Sequence, residues 1–214
     1  MGKTDSVKID KRELKSRRHA WDIIKCATLK DSRLTNVLAE RIRYGNFSDQ
    51  EKRFITEIVQ GSVRMAGRID WELSQVFNGK MDNLKLNYLI LLRIGVYQIR
   101  YMDSVPDYAA VTTTVQLAKG IHENLGGLTN ALLRSLLKHE KPELPDKDSS
   151  IDYTSKYYSH PEWMMNKWIT EGSFEDAISL ANWNNKAPQI WFRVNAITYT
   201  ATKFKNYLKK NEIE

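Results

Sequence analysis

The sequence predicts a mainly helical protein: an all-helical domain over residues 1–140, a linker at 141–150, and an incomplete small α/β segment of order helix-helix-strand-helix over 151–214. Three observations predict it. Apolar residues recur at helical spacing almost from the start of the chain to residue 137. The stretch KPELPDKDSS (141–150), with its prolines, charges and serines, ends that pattern. Beyond it, QIWFRVN (189–195) alternates side chains with the period of two expected of a half-buried strand.

The first helix carries Ala20, Ile23, Ile24 and Ala27 on one face, and a second carries Leu34, Val37, Leu38 and Ile42 with Gly45 as its stop. Ser48 and Glu51 form a capping box that opens a third helix, bearing Phe54, Ile55, Ile58, Val59 and Val63. Gly67 marks a break before a short helix over 69–77. Asp82 is placed to cap the next helix, with Leu86, Leu89, Ile90, Val96 and Tyr97 as core candidates. Pro106 suits a helix entry, with Ala109 to Lys119 following. LGGL (125–128) reads as a turn before a last helix carrying Leu132, Leu133, Leu136 and Leu137. The spacing thus predicts about seven helices before the linker. After it, His160-Pro161 opens a helix that ends at Gly172, Ser173 opens another, and a helix from about Ala201 to Lys210 follows the strand. A lone strand can neither satisfy its backbone hydrogen bonds nor bury its apolar face. Its partners are therefore expected beyond Glu214, or from another chain.

The net charge of +7 favours an anionic partner, nucleic acid or a membrane surface. The single cysteine, Cys26, excludes an internal disulfide or a cysteine-built zinc site and fits a reducing, cytoplasmic setting. The longest apolar run, YLILLRIGVY (88–97), is too short to span a membrane and contains Arg93. The four histidines have no partners at ligand spacing, so no metal is expected.

Several stretches resemble one family. VQGSVRMAGRIDWEL (59–73), LRIGVYQIRYMDSVPDYAAV (92–111) and LGGLTNALLR (125–134) resemble the NusB-like RNA-binding domain. SHPEWMMNKW (159–168), ANWNNKAPQIWFRVN (181–195) and the helix after them resemble the next segment of the Sun/Fmu family. Members of that family are S-adenosylmethionine-dependent methyltransferases that make 5-methylcytosine in bacterial small-subunit ribosomal RNA. The resemblance implies a NusB-like domain, a second RNA-binding segment and a catalytic domain, of which this chain holds the first and the start of the second. One departure stands at Thr113, near which the NusB pattern usually has an acidic residue.

Such a methyltransferase needs a thiolate to attack the ring and a glycine-rich turn after a strand for the cofactor. Neither is present. Cys26 falls on an amphipathic helix among Ile23, Ile24 and Ala27, where a small core residue is expected. Gly126-Gly127 lacks a preceding strand. The chain should be inactive alone; S-adenosylmethionine is the cofactor of the missing domain, its partner in cis, and ribosomal RNA is the other partner. Two further readings stay open: a NusB-type antitermination adaptor, and a helical protein-interaction module without an RNA role.

Binding chemistry is better represented. With Ala20 at the origin of a helical wheel, Ile23, Ile24 and Ala27 lie within about 60° of it, while Lys11, Lys15, Arg18 and Lys25 cluster opposite. Arg12 and Arg17 are read as flanking that stripe. The resemblance assigns it to RNA, and a solvated helix face is the alternative. Asn130 and Arg134, one turn apart, could meet a phosphate or base, or satisfy loop carbonyls near Gly126. Arg64 and Arg68 share a helix face, and Arg64 suits either RNA contact or a bridge between domains. Arg193 shares a strand face with Trp191, a surface for stacked RNA or for the missing domain. Trp163, Trp168 and Trp183 are read first as core residues.

Overall fold

Helix α1 (Lys11–Leu29) turns Ala20, Ile23, Ile24 and Ala27 inward, and all four are buried. The structure, a computed structural model, describes residues 11–188, 191 and 193–211. After α1 come α2 (Leu34–Tyr44), α3 (Asp49–Arg64), α4 (Ala66–Val76), α5 (Leu86–Tyr101), α6 (Asp107–Ile121) and α7 (Leu125–Lys138). The second part holds α8 (Ile151–Tyr158), α9 (Glu162–Glu171), α10 (Phe174–Asn185) and α11 (Ala201–Lys210).

The expected local signals organise the bundle. Ser48 caps α3 by accepting from the Glu51 amide, and the Glu51 carboxylate accepts from the Ser48 amide at 2.8 Å. Gly45 closes α2, Pro106 precedes α6, and Ser173 caps α10 through the Asp176 amide. α5 is the central helix. Ile90, Leu91, Leu92, Ile94 and Val96 are all buried, and α1, α3, α4, α6 and α7 pack around it, the behaviour of a helix apolar on every side. A Cβ at Gly61 would fall within the Tyr97 ring, so α3 and α5 close on each other at a spacing that only glycine permits.

Three expectations need correction. Gly67 lies inside α4; the break is one residue wide, at Met65. Asp82 sits in a short 3-10 turn, Met81–Asn83, and Lys85 precedes α5. LGGL forms the first turn of α7, not a loop, and Gly126 is buried against the stem of Lys119 on α6. Thr113 is also informative. It is 1% exposed, and its hydroxyl donates to the Ala109 carbonyl at 2.6 Å, so a carboxylate there would have to be buried or turn outward.

A second core gathers Tyr158, Met165, Ala177 and Ala181, with Ile151, Trp168, Ile169 and Ile178 packed around it. α8, which the sequence pattern does not single out, carries this core and packs on α4. Its signal was Ser150, whose side chain accepts from the Tyr153 amide. No strand forms among the described residues. Trp191 and residues 193–195 stand outside any regular element, and Gln189, Ile190 and Phe192 lie outside the described residues. Without a neighbouring strand to supply donors and acceptors, the alternation of 189–195 is not enough to form a ladder.

The two cores are joined by polar bonds at helix ends. Arg68 stacks on the Tyr157 ring, 3.9 Å from its centroid, and donates to the Tyr157 carbonyl at 3.0 Å. Arg64 donates to the Asn185 carbonyl at 3.2 Å. Ser159, in the left-handed region at φ 56°, donates to the Arg64 carbonyl at 2.8 Å and accepts from the Gly67 amide at 3.0 Å. Behind them lies a buried triad in which the Glu72 carboxylate accepts from Arg68 at 3.0 Å and from Arg100 at 2.7 Å. Arg100 also donates to the Leu136 carbonyl at the end of α7.

Candidate nucleic-acid interface

Burying one arc of α1 turns the opposite arc outward by helical geometry alone. Arg12, Lys15 and Arg18 are exposed and Lys25 is half-buried; the Lys11 side chain lies outside the described residues. Two aromatic rings flank the ridge. The Lys15 ammonium stands 5.9 Å from the Phe47 centroid, and His19 meets the same ring edge-on at 4.9 Å. Further along, the Lys25 ammonium sits 4.7 Å over Trp21, whose indole donates to the Asn87 carbonyl at 2.7 Å. A shallow notch of about 230 Å³ opens there between Lys25, Leu29, Leu86 and Asn87. Lys15 and Lys25 are thus seated against aromatic faces, a contact that leaves their charge available to a polyanion.

The local field is positive. Burial holds His19 below the ordinary histidine range, and Lys15 and Arg41 push it the same way against Asp22 and Glu51. His19 is therefore a neutral imidazole near pH 7 in the free protein. Arg41, exposed in the last turn of α2, extends the cationic flank. The sequence reading passed over it, although ERIRY at the end of α2 was the available signal.

Arg17 does not belong to the ridge. It is 3% exposed, its Nε donates to the Gln98 side chain at 2.6 Å, and its guanidinium stacks 4.8 Å from the Phe54 centroid. Burial lowers its pKa, with Glu13 opposing. On the wheel it falls about 60° from Ala20, beside Ile24 and as near the buried centre as Ile23, so its burial was readable. It is a core arginine, closed to RNA.

Asn130 and Arg134 are not brought to α1. The Arg134 guanidinium donates to the Asn130 side chain at 3.0 Å on α7, which packs on α4, α5 and α6. Arg134 remains exposed. Arg64 and Arg68, open in the sequence between RNA and a domain bridge, serve the bridge. Arg193 and Trp191 are exposed. Of the three tryptophans expected in the core, Trp168 packs there, edge-on to His160 at 5.3 Å, while Trp163 and Trp183 are 65% and 63% exposed. Cys26 is only half-buried. Among the described residues no group of three or more His, Cys, Asp or Glu side chains could hold a metal ion, and no helix is long and apolar enough to cross a membrane.

Comparison with known proteins finds matches to both parts of the chain. Residues 160–214 match the ferredoxin-like domain of RsmF/B-like methyltransferases. Among curated proteins, the probable ribosomal RNA small subunit methyltransferase B of Bacillus subtilis is 29% identical over 160 residues, 74% of this chain and 36% of that protein. The ribosomal RNA small subunit methyltransferase B of Photorhabdus laumondii is 28% identical over 170 residues, 79% of this chain and 38% of its own length. The chain therefore spans about two-fifths of the curated relatives it matches. The solution structure of NusB from Aquifex aeolicus superposes with a TM-score of 0.52 at 20% identity, covering 66% of this chain and all of that one. That likeness shares the helical fold of α1–α7, and residues 14–138 match the NusB family model, so the chain belongs to the NusB family.

Proposed function

We propose that this chain is the RNA-recognition part of an S-adenosylmethionine-dependent methyltransferase acting on cytosine C5 of small-subunit ribosomal RNA in the cytoplasm. It holds RNA for a catalytic unit that these residues do not include. The observation that carries the reading is the α1 ridge: Arg12, Lys15 and Arg18 exposed, and Lys25 laid on Trp21. A rigid helix face with cations over about three and a half turns matches successive phosphates of a folded RNA, each contact releasing counterions. Asn130, Arg134 and Arg193 extend the contact on other faces. The names of the curated relatives supply the reaction class. The match over 160–214 favours this reading over a free-standing antitermination adaptor, which has no use for that segment.

The test is titration of a small-subunit ribosomal RNA helix at several salt concentrations. Affinity falls steeply with salt, and the Lys15→Gln/Arg18→Gln/Lys25→Gln variant flattens the log–log slope by about 2 to 3. An unchanged slope refutes the ridge. Formation of 5-methylcytosine by the purified chain with S-adenosylmethionine refutes the division of labour.

A further inference from the structure

A cleft of about 430 Å³ opens where the two cores meet, between Arg64 at the end of α3 and Asp152, Ser155, Lys156 and Glu162 of α8 and α9. Ser155 lines it and is 4% exposed, yet its hydroxyl meets no hydrogen-bond partner among the described residues. A buried hydroxyl left unpaired is a cost that a bound polar group offsets. The N-terminus of α9 opens into the same cleft. Its N-cap, Pro161, has no side-chain acceptor to offer; the Pro161 carbonyl takes the Met164 amide at 3.0 Å, and the amides of Glu162 and Trp163 come before any intrahelical acceptor. Arg64 uses Nη1 on the Asn185 carbonyl, which leaves the rest of its fork. Lys156 is held to Asp152 at 2.7 Å, while Glu162 is exposed and makes no ion pair among the described residues.

We propose that this cleft binds a phosphate group that still carries a proton, as a phosphate monoester or inorganic phosphate does. The site is separate from the α1 ridge and does not depend on RNA recognition. A helix N-terminus, a guanidinium and a buried hydroxyl around one cleft make a donor set for a tetrahedral oxyanion. The acceptors decide which oxyanion. Asp152 and Glu162 offset the formal charges of Arg64 and Lys156, so the cleft has no surplus charge to draw a polyanion. The free Glu162 carboxylate repels sulfate and a phosphodiester, neither of which has a proton to give near neutral pH, but accepts the O–H of a hydrogen phosphate. The second ionisation of a monoester, at about pH 6, keeps that proton available. The volume falls within the range of roughly 300–1,000 Å³ of small-ligand pockets, which leaves room for the organic part of an ester.

The experiment follows thermal unfolding of the whole chain at about pH 6 and constant ionic strength, with inorganic phosphate, glycerol 3-phosphate, sulfate or dimethyl phosphate. At about ten times its Kd, inorganic phosphate or the monoester should raise Tm by about 3–6 °C more than sulfate does. Sulfate is the reference because both salts also stabilise folded chains by exclusion from their surface. Ser155→Ala should leave the ligand-free Tm unchanged or slightly raised, since it deletes an unpaired buried hydroxyl, and should weaken phosphate binding about tenfold by calorimetry. Glu162→Gln, at an exposed position, should bring sulfate level with phosphate. A monoester bound more tightly than inorganic phosphate assigns the site to esters, and equal affinities assign it to the free ion; both support the proposal. It is overturned if neither raises Tm beyond sulfate, if dimethyl phosphate does as well as the monoester, or if Ser155→Ala binds phosphate as the parent does, which leaves the hydroxyl to water. RNA titrations of Ser155→Ala should match the parent, so failure here leaves the ridge standing.

Discussion

Replacing Glu72 with glutamine removes the negative charge held between two arginines at the junction of the cores. Glu72 is 5% exposed, and the side chains of Arg68 and Arg100 are 12% and 8% exposed. The pairs are short, and the remaining guanidinium donors reach carbonyls of Tyr157, Leu136 and His139. Breaking a buried pair by deleting one partner costs about 3–5 kcal/mol, because the surviving charge stays desolvated without compensation. Set against a total stability of roughly 5–15 kcal/mol, that is a large fraction. For a chain of this size it corresponds to a drop of about 6–20 °C in Tm, at 2–4 °C per kcal/mol. The assay is urea unfolding followed by far-UV circular dichroism, with limited proteolysis of 139–150 read in parallel. The companion variant Arg68→Met/Glu72→Met/Arg100→Met removes all three charges together and should recover most of the loss. A Glu72→Gln chain within 1 kcal/mol of the parent would refute the claim that this triad holds the junction, and a companion as unstable as the single variant would show that the hydrogen bonds matter more than the charge.

Arg17→Ala should cost about 1–3 kcal/mol, since it strands the buried Gln98 oxygen and removes the stack on Phe54, while leaving the salt slope of RNA binding unchanged; urea unfolding and the titration separate the two. Tyr101→Phe should be neutral or slightly stabilising by the same unfolding measurement, because its buried hydroxyl has no protein partner. Burial pushes the Tyr101 phenol up to about 12, with Glu72 adding to the shift and Arg68 opposing it. Its contribution is fully present below the unfolded value near 10 and is lost as pH rises toward 12, roughly 2–3 kcal/mol that the phenylalanine variant should not lose in alkaline unfolding. His19 should titrate below the ordinary histidine range in the free chain and shift upward on adding RNA, as phosphates offset Lys15 and Arg41; an unmoved proton NMR titration would place the RNA elsewhere.

Much of the first domain was legible because its signals are local. The α3 capping box, the Pro106 entry and the buried arc of α1 each need only neighbours within a turn or two. α8 was harder to see. It is eight residues long, and its inner face includes Thr154 and Ser155 beside Tyr158, so a hydrophobic period hardly registers. Glu72 and Arg100 were hidden for a different reason. A glutamate on a short helix reads as a surface residue, and its burial follows only from a partner 28 positions away. LGGL misled because two glycines are turn formers in isolation. Here tertiary packing against Lys119 wants the smallest side chain at Gly126, and the helix tolerates the conformational cost.

The arginines make a wider point about reading basic sequences. By composition alone, Arg17, Arg18, Arg64, Arg68, Arg100 and Arg134 are equivalent candidates for phosphate. The fold assigns them different work. Arg64, Arg68 and Arg100 each donate to a carbonyl in the last turn of a different helix: α10 at Asn185, α8 at Tyr157 and α7 at Leu136. The last carbonyls of a helix lack intrahelical donors and lie at the negative end of its dipole, so a guanidinium satisfies both needs at once. The first two bonds tie the second core to α3 and α4 across what composition reads as a linker, and the third, within the first core, anchors the Arg100 that holds Glu72 beside Arg68. The second segment is then held against α4 instead of trailing from α7. On the RNA reading, that joint fixes where α8–α10 stand relative to the α1 ridge, so a folded RNA bound at the ridge meets the second segment in one orientation. On that reading, the charges proposed to contact RNA and those that orient it are separate sets, and burial is what tells them apart.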